Sequence, residues 1–96
     1  MPSTFERVAA IISSTSDVPV ERITLDSHVI KDLEIDSLAF LDVAFSIDQD
    51  FGIQIPIEKW TENINEGKAS TNDYFVMRNL CEQIDRLVAA AESAAA

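Results

Sequence analysis

The sequence predicts an all-α fold, and three observations carry that prediction. Among 96 residues there are only 2 Gly and 3 Pro, so most of the length is free of residues that break helices. Val and Ile are scattered without a sustained period-two alternation, which leaves no half-buried strand to propose. Apolar residues instead recur at steps of three and four along several segments. The hydrophobic fraction is 47%, enough for the core of a single small domain spanning 1–96 and too high for a disordered acidic tail.

The first helix is expected to open at Ser3 or Thr4, because Ser3 and Glu6 have capping-box spacing. Phe5, Val8, Ala9 and Ile12 then share one face. The hydroxyl run Ser13-Ser14-Thr15-Ser16 competes for backbone groups and is expected to end the helix. A long first loop follows, from about Asp17 to Ile35, with Asp17 placed to cap a short turn around Pro19. Val18, Val20, Ile23, Leu25, Val29, Ile30 and Leu33 recur along it, so it reads as a loop pinned over the core. His28, the single histidine, is expected at the surface of that loop.

The second helix should run from Asp36 or Ser37 to about Phe51, with Asp36 as N-cap and Gly52 as its stop. Ile53, Ile55 and Ile57 then alternate around Pro56, and Glu58-Lys59-Trp60 reads as one turn of helix. Thr61 to Ser70 is polar and turn-rich and is read as a loop. The last helix begins near Thr71 to Asp73 and carries Met77, Leu80, Cys81, Ile84, Leu87 and Val88 as its apolar stripe. The alanine-rich tail from Ala89 to Ala96 is expected to fray.

The net charge is -10, from 17 acidic and 7 basic residues. Such a surface repels nucleic acid and anionic membranes and favours partners with basic patches. One cysteine, Cys81, rules out an internal disulfide and reads as a small buried hydrophobe. The start of the chain has neither a basic stretch nor an apolar run, and no span for membrane insertion is visible. A cytoplasmic location is the expectation. Metal ligation, nucleotide binding and acid–base catalysis find no Cys/His cluster or glycine-rich loop. Asp48-Gln49-Asp50-Phe51-Gly52 looks briefly like a calcium loop, but Lys59 stands where the last carboxylate ligand is needed. A hydrolase built on Ser37 and His28 lacks a nucleophile elbow and an oxyanion loop.

The informative segment is Asp32-Leu33-Glu34-Ile35-Asp36-Ser37-Leu38, which sets a serine at the start of an amphipathic helix. At about 100° per residue, Phe40, Val43, Ala44, Ile47 and Phe51 fall in one arc and form a core stripe. Leu41, Phe45 and Asp48 fall beside Ser37, with Leu38 just beyond. The helix thus has a second apolar edge, framed by Asp42 and Asp48, which suits docking of a basic partner. At the first turn, free N–H groups and the helix dipole favour an anion such as a phosphodiester.

Asp32-Leu33, Ile35-Asp36-Ser37-Leu38 and Asp50-Phe51-Gly52-Ile53-Gln54-Ile55-Pro56 together resemble the acyl carrier proteins that bear phosphopantetheine. The resemblance implies a four-helix bundle and no catalysis by the chain itself. It implies that a phosphopantetheinyl transferase moves 4'-phosphopantetheine from coenzyme A onto Ser37, assisted by Asp36. Acyl chains then ride as thioesters between fatty-acid synthesis enzymes and an acyltransferase. Leu38, Leu41, Asp42, Phe45 and Asp48 match the helix that partners recognise.

Ala39 stands where the family commonly has an acid, Phe40 is bulkier than usual, and the polar segment from Glu62 to Ser70 makes an extended connection before the last helix. With the greater overall length, these departures resemble the specialised carriers of very-long-chain hydroxy fatty acids for lipid A in alphaproteobacteria. A general fatty-acid or polyketide carrier, and an unmodified helical interaction module, are the alternatives.

Overall fold

The computed structural model describes residues 3–95, with Ser37 and residues 93–95 by their backbone alone. Among the described residues it is helical, with five α-helices and no strand: α1 Thr4–Ser16, α2 Ser37–Phe51, α3 Ile57–Asn65, α4 Thr71–Phe75 and α5 Met77–Ala95. A single 3-10 turn, Val20–Arg22, interrupts the first loop. The family expectation of four helices becomes five through a break at Val76.

α1 begins with the capping box. The Ser3 hydroxyl accepts from the Glu6 N–H at 3.2 Å, and the Ser3 N–H donates to the Glu6 carboxylate at 3.4 Å. Val8, Ala9 and Ile12 are buried on its inner face. The serine run does not end the helix. α1 continues to Ser16, and Asp17 stops it by turning left-handed at φ 57°. α1 packs on α2 and on α5. The Arg7 guanidinium bonds the Asp50 carboxylate at 2.9 Å and lies 3.9 Å over the Phe51 ring, which fastens α1 to the end of α2.

The first loop is pinned as expected: Val18, Ile23, Val29 and Leu33 are buried, while Val20 and Leu25 remain exposed. His28 departs from expectation. It is 5% exposed, because the loop folds its ring inward against α4.

α3 is longer than the expected single turn. Ile57, Trp60 and Ile64 have helical spacing; Trp60 is buried and the other two are half-buried. The Trp60 and Tyr74 rings stack at 4.6 Å, and Asn63 donates to the Tyr74 hydroxyl at 2.9 Å. Part of the segment read as a polar loop is therefore helix packed on α4, and the open connection is only Glu66 to Ser70. Gly67, at φ 76°, closes α3: its N–H donates to the Ile64 carbonyl and that of Lys68 to the Asn63 carbonyl.

Helical pattern runs through Val76 in the sequence, yet the chain is extended there and pairs with His28. The Val29 N–H donates to the Phe75 carbonyl at 2.8 Å, the Met77 N–H to Ser27 at 2.8 Å, and the Arg78 N–H to Leu25 at 2.9 Å. The loop thus satisfies donors that a helix start leaves without partners. Met77, Leu80, Cys81 and Ile84 are buried along α5. α5 is helical to Ala95, alanine being the residue that loses least in a helix. The end of the expected frayed tail, Ala96, lies outside the described residues.

Candidate functional site at the start of the second helix

α2 is delivered by the loop rather than by its own caps alone. The Asp32 carboxylate accepts the His28 N–H at 2.7 Å, and Leu33 and Ile35 are buried. Glu34, at φ 57°, takes a left-handed conformation between them. That left-handed residue turns the chain so that both neighbours reach the core. Asp36 then caps α2, its carboxylate accepting from the Ala39 N–H at 2.7 Å. Ser37 is therefore the first helical residue. The first turn of α2 itself contains no acidic side chain, and the carboxylate at this positive helix end is that of the Asp36 cap.

The two edges expected on α2 are both present. Phe40, Val43, Ala44 and Ile47 are at most 4% exposed, whereas Leu38 is 75%, Leu41 47% and Phe45 64% exposed. Asp42 is exposed beside them. Asp48 faces partly inward: one carboxylate oxygen accepts the Ile55 N–H at 2.8 Å and so braces the turn from α2 to α3. Of the residues singled out from sequence, Leu38, Leu41, Asp42 and Phe45 present a common open edge, and Asp36 and Asp48 have hydrogen-bonding duties within the fold.

Phe40 looked oversized in the sequence. Its ring meets Phe75 edge-on at 5.0 Å, so the bulk fills the gap between α2 and α4. This long-range pair carries no local sequence signal, and neither does the stack of Trp60 on Tyr74. His28 was passed over because a lone histidine in a loop is ordinarily solvated. Its ring nitrogens face the Ile30 and Lys31 amides and the Thr71 hydroxyl, an arrangement that does not suit a general base for Ser37. Burial first, and Asp85 second, push the Cys81 thiol up to about 11, so it remains a protonated core residue at neutral pH.

The model of the family described as "Phosphopantetheine attachment site" matches residues 6–63, a stretch that contains all of α2. The chain belongs to the phosphopantetheine-carrying acyl carrier family. It is 60% identical over 90 residues to acyl carrier protein AcpXL of Mesorhizobium japonicum, covering 94% of this chain and 97% of that one. It is 58% identical to acyl carrier protein AcpXL of Rhizobium etli, covering 94% and 98%. An acyl carrier protein of Helicobacter acinonychis is 33% identical over 63 residues, covering 66% and 81%. The chain is thus a specialised acyl carrier bearing 4'-phosphopantetheine, a carrier rather than an enzyme, whose partners are acyl chains and the enzymes that build them. Among the described residues no helix is long and apolar enough to cross a membrane.

Proposed function

We propose that Ser37 is the attachment point of the phosphopantetheine arm, and that this carrier holds very-long-chain hydroxy fatty acids for lipid A in the cytoplasm. The observation that carries the attachment is the position of Ser37: first residue of α2, directly after the Asp36 cap, with the exposed Leu38, Leu41 and Phe45 edge alongside. A phosphodiester fits this place, because a helix N-terminus favours an anion and the first turn adds no acidic side chain beyond the Asp36 cap.

In the attachment, the Ser37 oxygen forms a new ester bond to the phosphorus that bears pantetheine. The pyrophosphate bond of coenzyme A breaks, the serine proton leaves to a base of the transferase, and the nucleotide departs as its bisphosphate. The arm supplies the terminal thiol on which acyl chains form thioesters. Asp36 holds the helix start with one carboxylate oxygen and keeps the other for the transferase's metal and coenzyme A. Leu38, Leu41 and Phe45 supply contact area for a phosphopantetheinyl transferase, fatty-acid synthesis enzymes and a dedicated acyltransferase. Asp42 and the outer oxygen of Asp48 steer their basic residues.

A specialised rather than general carrier is supported by likeness to the AcpXL relatives along nearly the whole chain, against two-thirds for the Helicobacter carrier, and the very-long-chain and lipid A assignment builds on that. Intact mass after coexpression with a broad-specificity phosphopantetheinyl transferase tests the attachment. One phosphopantetheine should be gained by the wild type and none by Ser37→Ala. An unchanged wild-type mass would favour an unmodified interaction module. The acyl species on protein purified from its own host tests the cargo, and only chains of ordinary length there would sink the very-long-chain reading.

A further inference from the structure

His28 lies outside the proposed attachment and docking surface, yet each of its polar atoms is engaged. Its backbone N–H donates to Asp32, and its carbonyl accepts from the Asp32 and Leu33 N–H groups at 2.8 and 3.2 Å. Ring Nδ1 accepts from the Ile30 and Lys31 N–H groups at 3.2 and 3.1 Å. A nitrogen that accepts two amide protons carries none itself, so the neutral ring holds its proton on Nε2. That nitrogen lies 3.4 Å from the Thr71 hydroxyl of α4.

Two routes connect this ring to the start of α2. Along the chain, the turn organised by Nδ1 leads through buried Leu33 and Ile35 to the Asp36 cap. Across the core, the His28 ring lies 6.1 Å from Phe75, which meets Phe40 at 5.0 Å. Phe40 belongs to the first turn of α2, and its N–H donates to the Asp36 carbonyl at 2.9 Å.

We propose that His28 is a positioning residue for modification of Ser37: neutral, it latches the first loop to α4 and so presents the Asp36–Ser37 turn, and protonated, it releases that turn. The proposal rests on the reading of Ser37 as the attachment point. Protonation places a hydrogen on Nδ1, facing two amide N–H groups that then lose their acceptor. The charged groups acting on the ring are Lys31 and Asp32, both from its own loop. α4 contributes only the Thr71 hydroxyl and the Phe75 ring, and α2 reaches it through Phe75. Burial first and Lys31 second hold the imidazole below its ordinary 6.5, with Asp32 in opposition. The latch is therefore closed at neutral pH and opens only below the ordinary imidazole range.

The test is a competition between wild type and His28→Asn for one phosphopantetheinyl transferase with coenzyme A, followed by intact mass. Asparagine offers a carbonyl oxygen near the place of Nδ1 and does not titrate. Because both proteins share the enzyme, its own pH dependence cancels in the ratio of rates. That ratio should fall by up to about tenfold from above to below the His28 titration midpoint, as the latched fraction falls. In the wild type alone, hydrogen-exchange protection of the Ile30 and Lys31 amides should be lost with the same midpoint as the imidazole NMR signal. A flat ratio, or amides that stay protected below that midpoint, overturns the latch while leaving Ser37 as the attachment point. A wild type that gains no arm at any pH overturns the Ser37 reading and the latch with it.

Discussion

The two edges of α2 carry the same kinds of residue and meet opposite fates. Phe40 and Ile47 lie in the core, whereas Leu41 and Phe45, on the same helix, face solvent. The difference is not in hydrophobicity but in what surrounds each edge. The inner edge meets α1 and the Phe75 ring, and the outer edge meets nothing in the described chain. Apolar side chains left in a row beside the first residue of a helix cost solvation without returning packing. In an acyl carrier, that arrangement suits the outer edge to the proposed partner docking.

The comparison can be broken at several points. The largest effect belongs to the inner edge: Ile47→Ala should cost about 2–5 kcal/mol in a denaturant titration, because Ile47 is fully buried and its removal leaves a cavity. A cost under about 1 kcal/mol would mean that the core is loosely filled. On the outer edge, Phe45→Ala should leave stability within about 0.5 kcal/mol. The same variant should raise the transferase KM by about tenfold. Lost stability with unchanged KM would reverse the roles assigned to the two edges.

A smaller effect links the edges through pH. The folded state holds His28 below its ordinary 6.5, so below that value the unfolded chain binds the extra proton more readily. Its contribution to stability is complete above pH 6.5 and is lost as pH falls toward the folded value. Urea midpoints measured across that window should decline for the wild type and flatten in His28→Asn. The smallest expected change is in Arg7→Ala, which removes a partly exposed pair at the far end of α2. It should cost about 0.2–1 kcal/mol in the same titration and weaken in high salt.

Much of this was legible from local pattern. The Ser3–Glu6 box, the Asp36 cap, Gly52 and the helical wheel of α2 each depend on residues within one or two turns, and each stands as read. The expectation that the loop before Asp36 is pinned also held, through the burial of Val18, Ile23, Val29 and Leu33. The errors share a different cause. Ser13 to Ser16 stay helical and α3 reaches Asn65 because helix already formed nearby, or packing, outweighs weak local preference. Val76 breaks a helical stripe because backbone groups of Ser27, His28 and Val29 claim its surroundings.

The sequence by itself determined the helical class, the register of α2 and the serine placed at its start, because spacing and capping act over a few residues. Only the tertiary structure decided that His28 is buried and that Phe40 is sized for Phe75 and Trp60 for Tyr74. Those outcomes depend on segments tens of residues apart meeting in space. No local periodicity encodes which distant ring will meet Phe40 or Trp60.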